Sequence, residues 1–372
     1  MDDLVARWAG TAFQQEAAAW ADEVLGPRGL VRSGPLVPEK IRFWSAVFVV
    51  PLAGSPSGTG GGASGGRNRA WFKVGNPGQA FEGRLLQALG QVVPDRVVAP
   101  WAVDGERGWW LLPDGGPTLD GSRPEDWVDL LGDVADLQRA CGPHHDRFDM
   151  VPALSTEAAA GWVDGTVDQL ARLPAADPQH LDPRAAARMT GRLDRFGQRM
   201  GLLRETGLPQ TLQPNDAHPR NAVGPSTPGA PARVFDLGDS VRSHPWAVLH
   251  TTVRLAARVP LTDPWPDTPL TRRIVEAYLE RWPEVDLGGR PGSGSAGAGG
   301  WPDDGGRPGD DGSPGAGGSP GAGGLPEELE AADRLGAVHR AASWLRLLAP
   351  VDPDRLAVPT PRVADWLELA LR

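Results

Sequence analysis

Cysteine is almost missing from this 372-residue chain, and its single copy, Cys141, has no partner for an internal bridge. No disulfide framework is available, and a reducing compartment is the simple expectation. Lysine is nearly as scarce, occurring only at Lys40 and Lys73 among abundant arginine, alanine, glycine and proline. Coding bias explains that composition, and it makes a lysine kept inside an apolar strand conspicuous. No apolar run approaches the roughly 20 residues that span a bilayer. The opening Met1, Asp2 and Asp3 carry no basic targeting segment, so a cytoplasmic protein is expected, with no membrane partner. An excess of positive charge is lacking too. The 37 Lys and Arg residues face 47 Asp and Glu residues, a net charge of -10. That leaves no electrostatic footprint for nucleic acid and weakly favours a cationic substrate. His144 and His145 have no histidine or cysteine at metal-ligand spacing, which argues against zinc.

The length allows two modest lobes or one large domain with a sizeable core. Leu4, Trp8, Ala12, Ala19 and Trp20 recur at helical spacing up to Gly26 and Pro27. Ile41–Pro51 and Ala70–Val74 read as strands, Phe81–Leu89 as a helix, and Val97–Val103 with Gly108–Leu112 as two more strands. The glycine-rich stretch Gly54–Gly66 fits no phosphate-loop fingerprint and reads as a flexible hairpin tip. Beyond Asp114 the pattern turns helical, at Trp127–Cys141, Thr156–Leu173 and Pro183–Glu205. Gly288–Gly324 is almost wholly Gly, Pro, Ser, Ala and Asp and reads as a disordered insertion. Helices are expected again at Pro326–Leu348 and Arg362–Leu371. Residues 1–115 thus form a small sheet-bearing unit and residues 116–372 a larger helical one, an α+β organisation.

The segment with most chemistry runs from Leu212 through Asp216 to Asn221 and resumes at Val234, Phe235, Asp236, Leu237, Gly238 and Asp239. Phosphoryl transfer needs an aspartate to orient the acceptor hydroxyl and an asparagine five positions later on Mg²⁺. A second aspartate, before a glycine, holds metal. Asp216, Asn221 and Asp236 meet that spacing. Each pattern alone is weak, since Asn and Asp favour turns anyway. Their order after Lys73, in the sheet, and Glu82, on the next helix, strengthens them, because kinases place a phosphate-steadying lysine and its glutamate there. A solvated edge-strand lysine is the plain alternative for Lys73.

Over roughly Val31 to Trp282 the chain resembles the aminoglycoside phosphotransferase family, whose members share the bilobal protein-kinase-like fold and phosphorylate small molecules. Pro214–Asn221 and Asp236–Asp239 resemble the family's brace and metal elements, and Ser243, His244, Pro245 and Trp246 its following segment. The resemblance implies ATP and Mg²⁺ as cofactors and a small-molecule hydroxyl as acceptor. It implies Asp216 as catalytic base, Asn221 and Asp236 as metal ligands, and Lys73 with Glu82 on the phosphates. Leu112, Pro113 and Asp114 become the hinge that meets adenine.

Two positions depart from the family pattern. Pro214 stands where a brace histidine is usual, and proline offers neither a polar side chain nor a backbone N–H. Asn215 replaces a glycine, a milder change because asparagine adopts left-handed backbone readily. A kinase-fold protein that binds nucleotide or acts as a scaffold without catalysis is therefore the alternative to an active enzyme. Asp239 reads equally as a metal or substrate ligand and as a loop cap. Ser45 reads as a strand residue before a phosphate contact, and His218 as a γ-phosphate contact or a surface histidine.

Overall fold

The computed structural model describes residues 3–53, 68–227, 229–285, 325–352 and 360–372. The expected hairpin tip at 54–66 and the expected insertion at 288–324 lie outside the described residues.

The chain opens with α1 (Leu4–Ala9) and α2 (Thr11–Leu25), one periodic pattern broken at Gly10, whose backbone is extended. Five strands follow: β1 (Val37–Arg42), β2 (Ser45–Pro51), β3 (Arg69–Gly75) and, after α3 (Glu82–Val92), β4 (Ala102–Asp104) and β5 (Trp109–Pro113). They form one antiparallel sheet in the order β1-β2-β3-β5-β4. Two expectations change here. The run Ile41–Pro51 is not one strand, because a tight turn at Phe43 and Trp44 divides it, held by Asn76 Nδ2 donating to the Phe43 carbonyl at 3.0 Å. The run Val97–Val103 shortens to β4, since Pro100 lacks an N–H for the ladder, and Val97 instead bridges Val234.

Strand alternation gives the sheet two different faces. Ala46, Phe48 and Val50 of β2 and Ala70, Phe72 and Val74 of β3 pack under α2 with Phe13 and Trp109. Phe72 and Trp109 meet edge-on at 5.3 Å between ring centroids, and Phe13 and Trp109 at 5.6 Å. Burying each such ring contributes about 1.5–3 kcal/mol. The opposite face carries Trp110 and Leu112 into the second core, shared with α3 and the helical part.

That part comprises α4 (Pro124–Cys141), α5 (Ala159–Ala171), α6 (Pro183–Thr190) and α7 (Leu193–Glu205), two short two-stranded sheets and, among the described residues, four more α-helices. The single helix expected over Pro183–Glu205 is two, interrupted at Gly191 and Arg192. The paired strands are β6 (Thr211–Gln213) with β9 (Val241–Ser243), and between them along the chain β7 (Ala222–Val223) with β8 (Arg233–Val234). Then come α8 (Leu249–Ala257), α9 (Pro269–Leu279), α10 (Glu327–Leu348) and α11 (Val363–Ala370). Sequence reading missed α9, although Thr268 and Thr271 close a reciprocal capping box ahead of it, with Pro269 at its first position. α10 is long and buried on most sides, and it reaches back to the sheet-bearing part, where Asn76 also donates to the Leu347 carbonyl at 3.1 Å. Among the described residues no helix is long and apolar enough to cross a membrane.

Candidate active site

Because Phe72 and Val74 face α2, Lys73 between them faces α3, from the centre of the sheet and not from an edge. Only 6% of it is exposed, and the Trp110 ring lies 5.3 Å from its ammonium. Glu82 opens α3, where a carboxylate suits the helix dipole. Lys73 Nζ donates to Glu82 Oε1 at 2.8 Å, to Oε2 at 2.9 Å and to Asp236 Oδ1 at 2.6 Å. Those contacts occupy all three ammonium hydrogens. Burial acts to lower the Lys73 pKa, but the Asp236 and Glu82 carboxylates outweigh it and hold the lysine above its ordinary value. Burial pushes Glu82 up to about 7 against the pull of Lys73 and of the Leu237 N–H, which donates to Oε1 at 3.2 Å.

The loop between β6 and β7 carries Asp216 and Asn221. It is supported without a histidine. Gln213, fully buried, accepts from the Asn215 N–H at 2.8 Å, and the Thr252 hydroxyl of α8 donates to the Ala217 carbonyl at 2.8 Å. Asn221 Nδ2 donates to the Asp216 carbonyl at 3.1 Å and approaches Asp216 Oδ2 at 3.4 Å, which leaves its amide oxygen as the free end. Asn215 has φ of 45°, the left-handed conformation expected of a glycine substitute. Burial pushes Asp216 up to about 6; Arg340 draws it down, while Asp239 and Asp236 add to the rise. His218 Nε2 lies 3.8 Å from Asp216 Oδ2, and its side chain is only 13% exposed, so it is not a surface histidine. Burial, with Arg220 nearby, lowers it to about 4, and it is neutral at pH 7.

Asp236 also has a left-handed backbone, φ 60°. Such strain persists where surrounding structure over-determines it, commonly at functional sites. Burial alone would raise Asp236, but Lys73 outweighs that and holds it below the ordinary carboxylate range. At Gly238 an added Cβ would come within 2.9 Å of the Gln79 side chain and 3.0 Å of Glu82 Oε2, so a larger residue would displace those two side chains. Asp239 is a tether. It accepts from Gln79 Nε2 at 2.7 Å, from Arg340 Nη1 at 2.9 Å and from the Ser343 hydroxyl. Gln79, Arg340 and Ser343 were not found in the sequence, because nothing local marks them.

The structure thus gathers Lys73, Glu82, Asp216, Asn221 and Asp236 from four separate stretches of chain. The other candidates stand apart from that cluster. Leu112 is buried in β5 opposite Trp71, and Pro113 ends the strand opposite Ala70. Asp114 spends its carboxylate on Arg69 Nε at 2.8 Å and on the Gly116 N–H at 3.2 Å. Ser45 is a buried strand residue paired with Gly75. An open groove of about 490 Å³ between α5 and α7, lined by Gly161, Asp164, Asp194 and Gly197 among others, contains none of these groups.

Among the described residues no three His, Cys, Asp or Glu side chains converge as a ready-made metal cluster. The Asp236 carboxylate and the Asn221 amide oxygen are hard donors for a small divalent cation, one that keeps waters and takes phosphate oxygens for the remainder of its shell. The donor set fits magnesium in that role.

No family model and no curated protein matches the chain. Solved structures do. Choline kinase from Cryptosporidium parvum Iowa II matches with a TM-score of 0.51 at 10% identity, over 96% of this chain and 92% of that one. Plasmodium vivax ethanolamine kinase matches at 0.52 and 9%, over 90% and 80%. Choline kinase from Streptococcus pneumoniae matches at 0.50 and 9%, over 96% and 99%. The chain therefore has a kinase-like α+β fold, an antiparallel sheet followed by a larger helical part, like that of these small-molecule kinases.

Proposed function

We propose that the protein is an ATP- and magnesium-dependent phosphotransferase acting on a hydroxyl of a small molecule. Residues 1–115 serve as its nucleotide-binding lobe and residues 116–372 as its catalytic and substrate lobe. The observation that carries the reading is the convergence of Lys73, Glu82 and Asp236 in one hydrogen-bonded chain, in a fold like that of the choline and ethanolamine kinases.

When bound, magnesium-ATP supplies the transferable phosphoryl group and a cation that draws off its charge. Asn221 and Asp236 hold the cation, and Lys73, kept in place by Glu82, neutralises phosphate oxygens. Asp236 is engaged by Lys73 in this structure, and its carboxylate would be shared between that ammonium and a cation held with Asn221. Leu112, Pro113 and Asp114 meet the base. Pro113 has no N–H, so the donor at that edge falls to Asp114. Asp216 accepts the proton of the acceptor hydroxyl as its oxygen attacks, and a carboxyl with pKa about 6 is largely ionised at pH 7 for that task. Gln213 and Thr252 hold the loop where a histidine brace would otherwise serve, which favours a working enzyme over a scaffold.

The test is transfer of labelled γ-phosphate to a panel of hydroxylated small molecules. Asp216→Asn, at unchanged melting temperature, is expected to lose at least about 100-fold in turnover. Unaltered turnover would overturn the assignment of the base. Nucleotide binding with no transfer to any acceptor would favour the non-catalytic alternative.

A further inference from the structure

Beside the proposed base, α10 presents two arginines whose hydrogen bonds are unfinished. Arg340, Ser343 and Arg346 recur three residues apart, on one side of the helix. Arg340 is 7% exposed and gives Nη1 to Asp239, while its Nε is buried without a partner among the described residues. Arg346 is partly buried. Its Nε and Nη2 are both buried without a partner among the described residues, and its guanidinium carbon lies 6.0 Å from the centroid of the Phe81 ring. Burial lowers Arg346; Asp239 opposes that and the neighbouring Arg340 adds to it. Asp239 is the carboxylate whose charge acts on both arginines, but of the two it bonds only Arg340, and its remaining capacity goes to Gln79 and Ser343. The unpartnered Nε of Arg340 and the Nε and Nη2 of Arg346 are charged donors that an oxyanion can engage. Its position is set by Arg340, whose charge acts on Asp216 and His218 and whose partner Asp239 is bonded to Gln79 near the start of α3.

We propose that Arg340 and Arg346 form an oxyanion-binding site for the acceptor, so that the phosphorylated molecule carries a carboxylate or phosphate as well as its hydroxyl. The inference rests on the phosphotransferase reading and fixes its substrate class. It runs against the overall charge of -10, which weakly favours a cationic acceptor. Contact groups outweigh the distant, screened surface charge. A planar guanidinium also suits bidentate binding of either oxyanion.

The experiment is thermal denaturation with inorganic phosphate, at ionic strength held constant with chloride. Wild type should gain about 2–4 °C at saturating phosphate. Arg346→Met should need at least about ten times more phosphate for the same gain, and Arg346→Lys should fall between them. The same phosphate response in Arg346→Met and wild type, or no response in wild type, overturns the site. The nucleotide's own γ-phosphate is the other source of an oxyanion. Phosphate should therefore still add stability when a non-hydrolysable ATP analogue with magnesium is bound; a response that survives with ADP but vanishes with the analogue overturns the acceptor assignment. Asp236→Asn separates the two readings, because it should lose the nucleotide response and keep the phosphate response. In turnover assays with anionic acceptors, Arg346→Met should raise KM at least about ten-fold with little change in kcat.

Discussion

Arg254 and Asp333, which join α8 to α10, differ from Asp239 and Arg340, which join the loop after β8 to the same helix, in how fully their hydrogen bonds are made. Arg254 is wholly buried, and it gives Nη1 and Nη2 to the two Asp333 oxygens at 2.6 and 2.9 Å and Nε to the Asp263 carbonyl at 2.9 Å. His250 closes the group, its Nδ1 lying 2.7 Å from Asp333 Oδ1. Burial would raise Asp333, but His250 and Arg254 outweigh it and hold the carboxyl far below its usual range. Arg340 makes one bond to Asp239 and leaves its Nε idle, with the idle donors of Arg346 beside it. In the first pair every guanidinium nitrogen of Arg254 is bonded, although His250 Nε2 beside it is buried without a partner among the described residues. The second pair keeps unspent hydrogen-bonding capacity next to Asp216.

The largest effect expected from that contrast is on stability. Asp333→Ala leaves Arg254 buried and unpaired and should cost about 3–5 kcal/mol by urea denaturation, whatever ligand is present. Asp239→Ala should cost less, about 1–3 kcal/mol, because Arg340 is only partly committed, yet it should weaken nucleotide binding by freeing Gln79 beside Glu82. An equal or larger loss at Asp239 would erase the distinction between the two pairs. Gly78→Ala probes the same seam from the sheet side: its Cβ would stand 2.3 Å from the Arg346 carbonyl, so α10 must move away, at about 1–3 kcal/mol.

The smallest effect is in pH. Asp216 and Glu82 have folded pKa values raised to about 6 and about 7, so the stability they contribute is present below their unfolded values near 4 and is lost as pH rises through 6–7. Asp333 is depressed, so its contribution is present above about 4 and lost as pH falls further. The melting temperature of the ligand-free protein should rise modestly from pH 8 to 5 and fall below 4. Turnover, which needs ionised Asp216, should instead decline below about pH 6. Asp216→Asn should reduce the first slope, leaving the share of Glu82, and Asp333→Asn should reduce the second.

The residues legible in the sequence share one property: their meaning is local. Lys73 interrupts an apolar strand, Asp216 and Asn221 are five apart, and Asp236 precedes a glycine by two, so spacing alone could nominate them. Pairing Lys73 with Glu82 needed only the strand's alternation and the start of the next helix. Gln213 escaped notice because a buried glutamine in a short strand has no pattern. Arg340 and Ser343 lie 101 and 104 residues from Asp239 along the chain, and they become its partners only when α10 packs against the loop after β8. Strand ends failed where a proline or a two-residue turn cut an apolar run. The helices broke at glycines that periodicity does not weigh.

The most direct test of the central claim is a calorimetric titration of the protein with a non-hydrolysable ATP analogue, with and without magnesium, in wild type and Asp236→Ala. The account predicts binding that requires magnesium and weakens at least about ten-fold in the variant. Binding of equal strength without the metal, or unaltered by the substitution, would contradict the assignment of Asp236 and the phosphotransferase reading built on it.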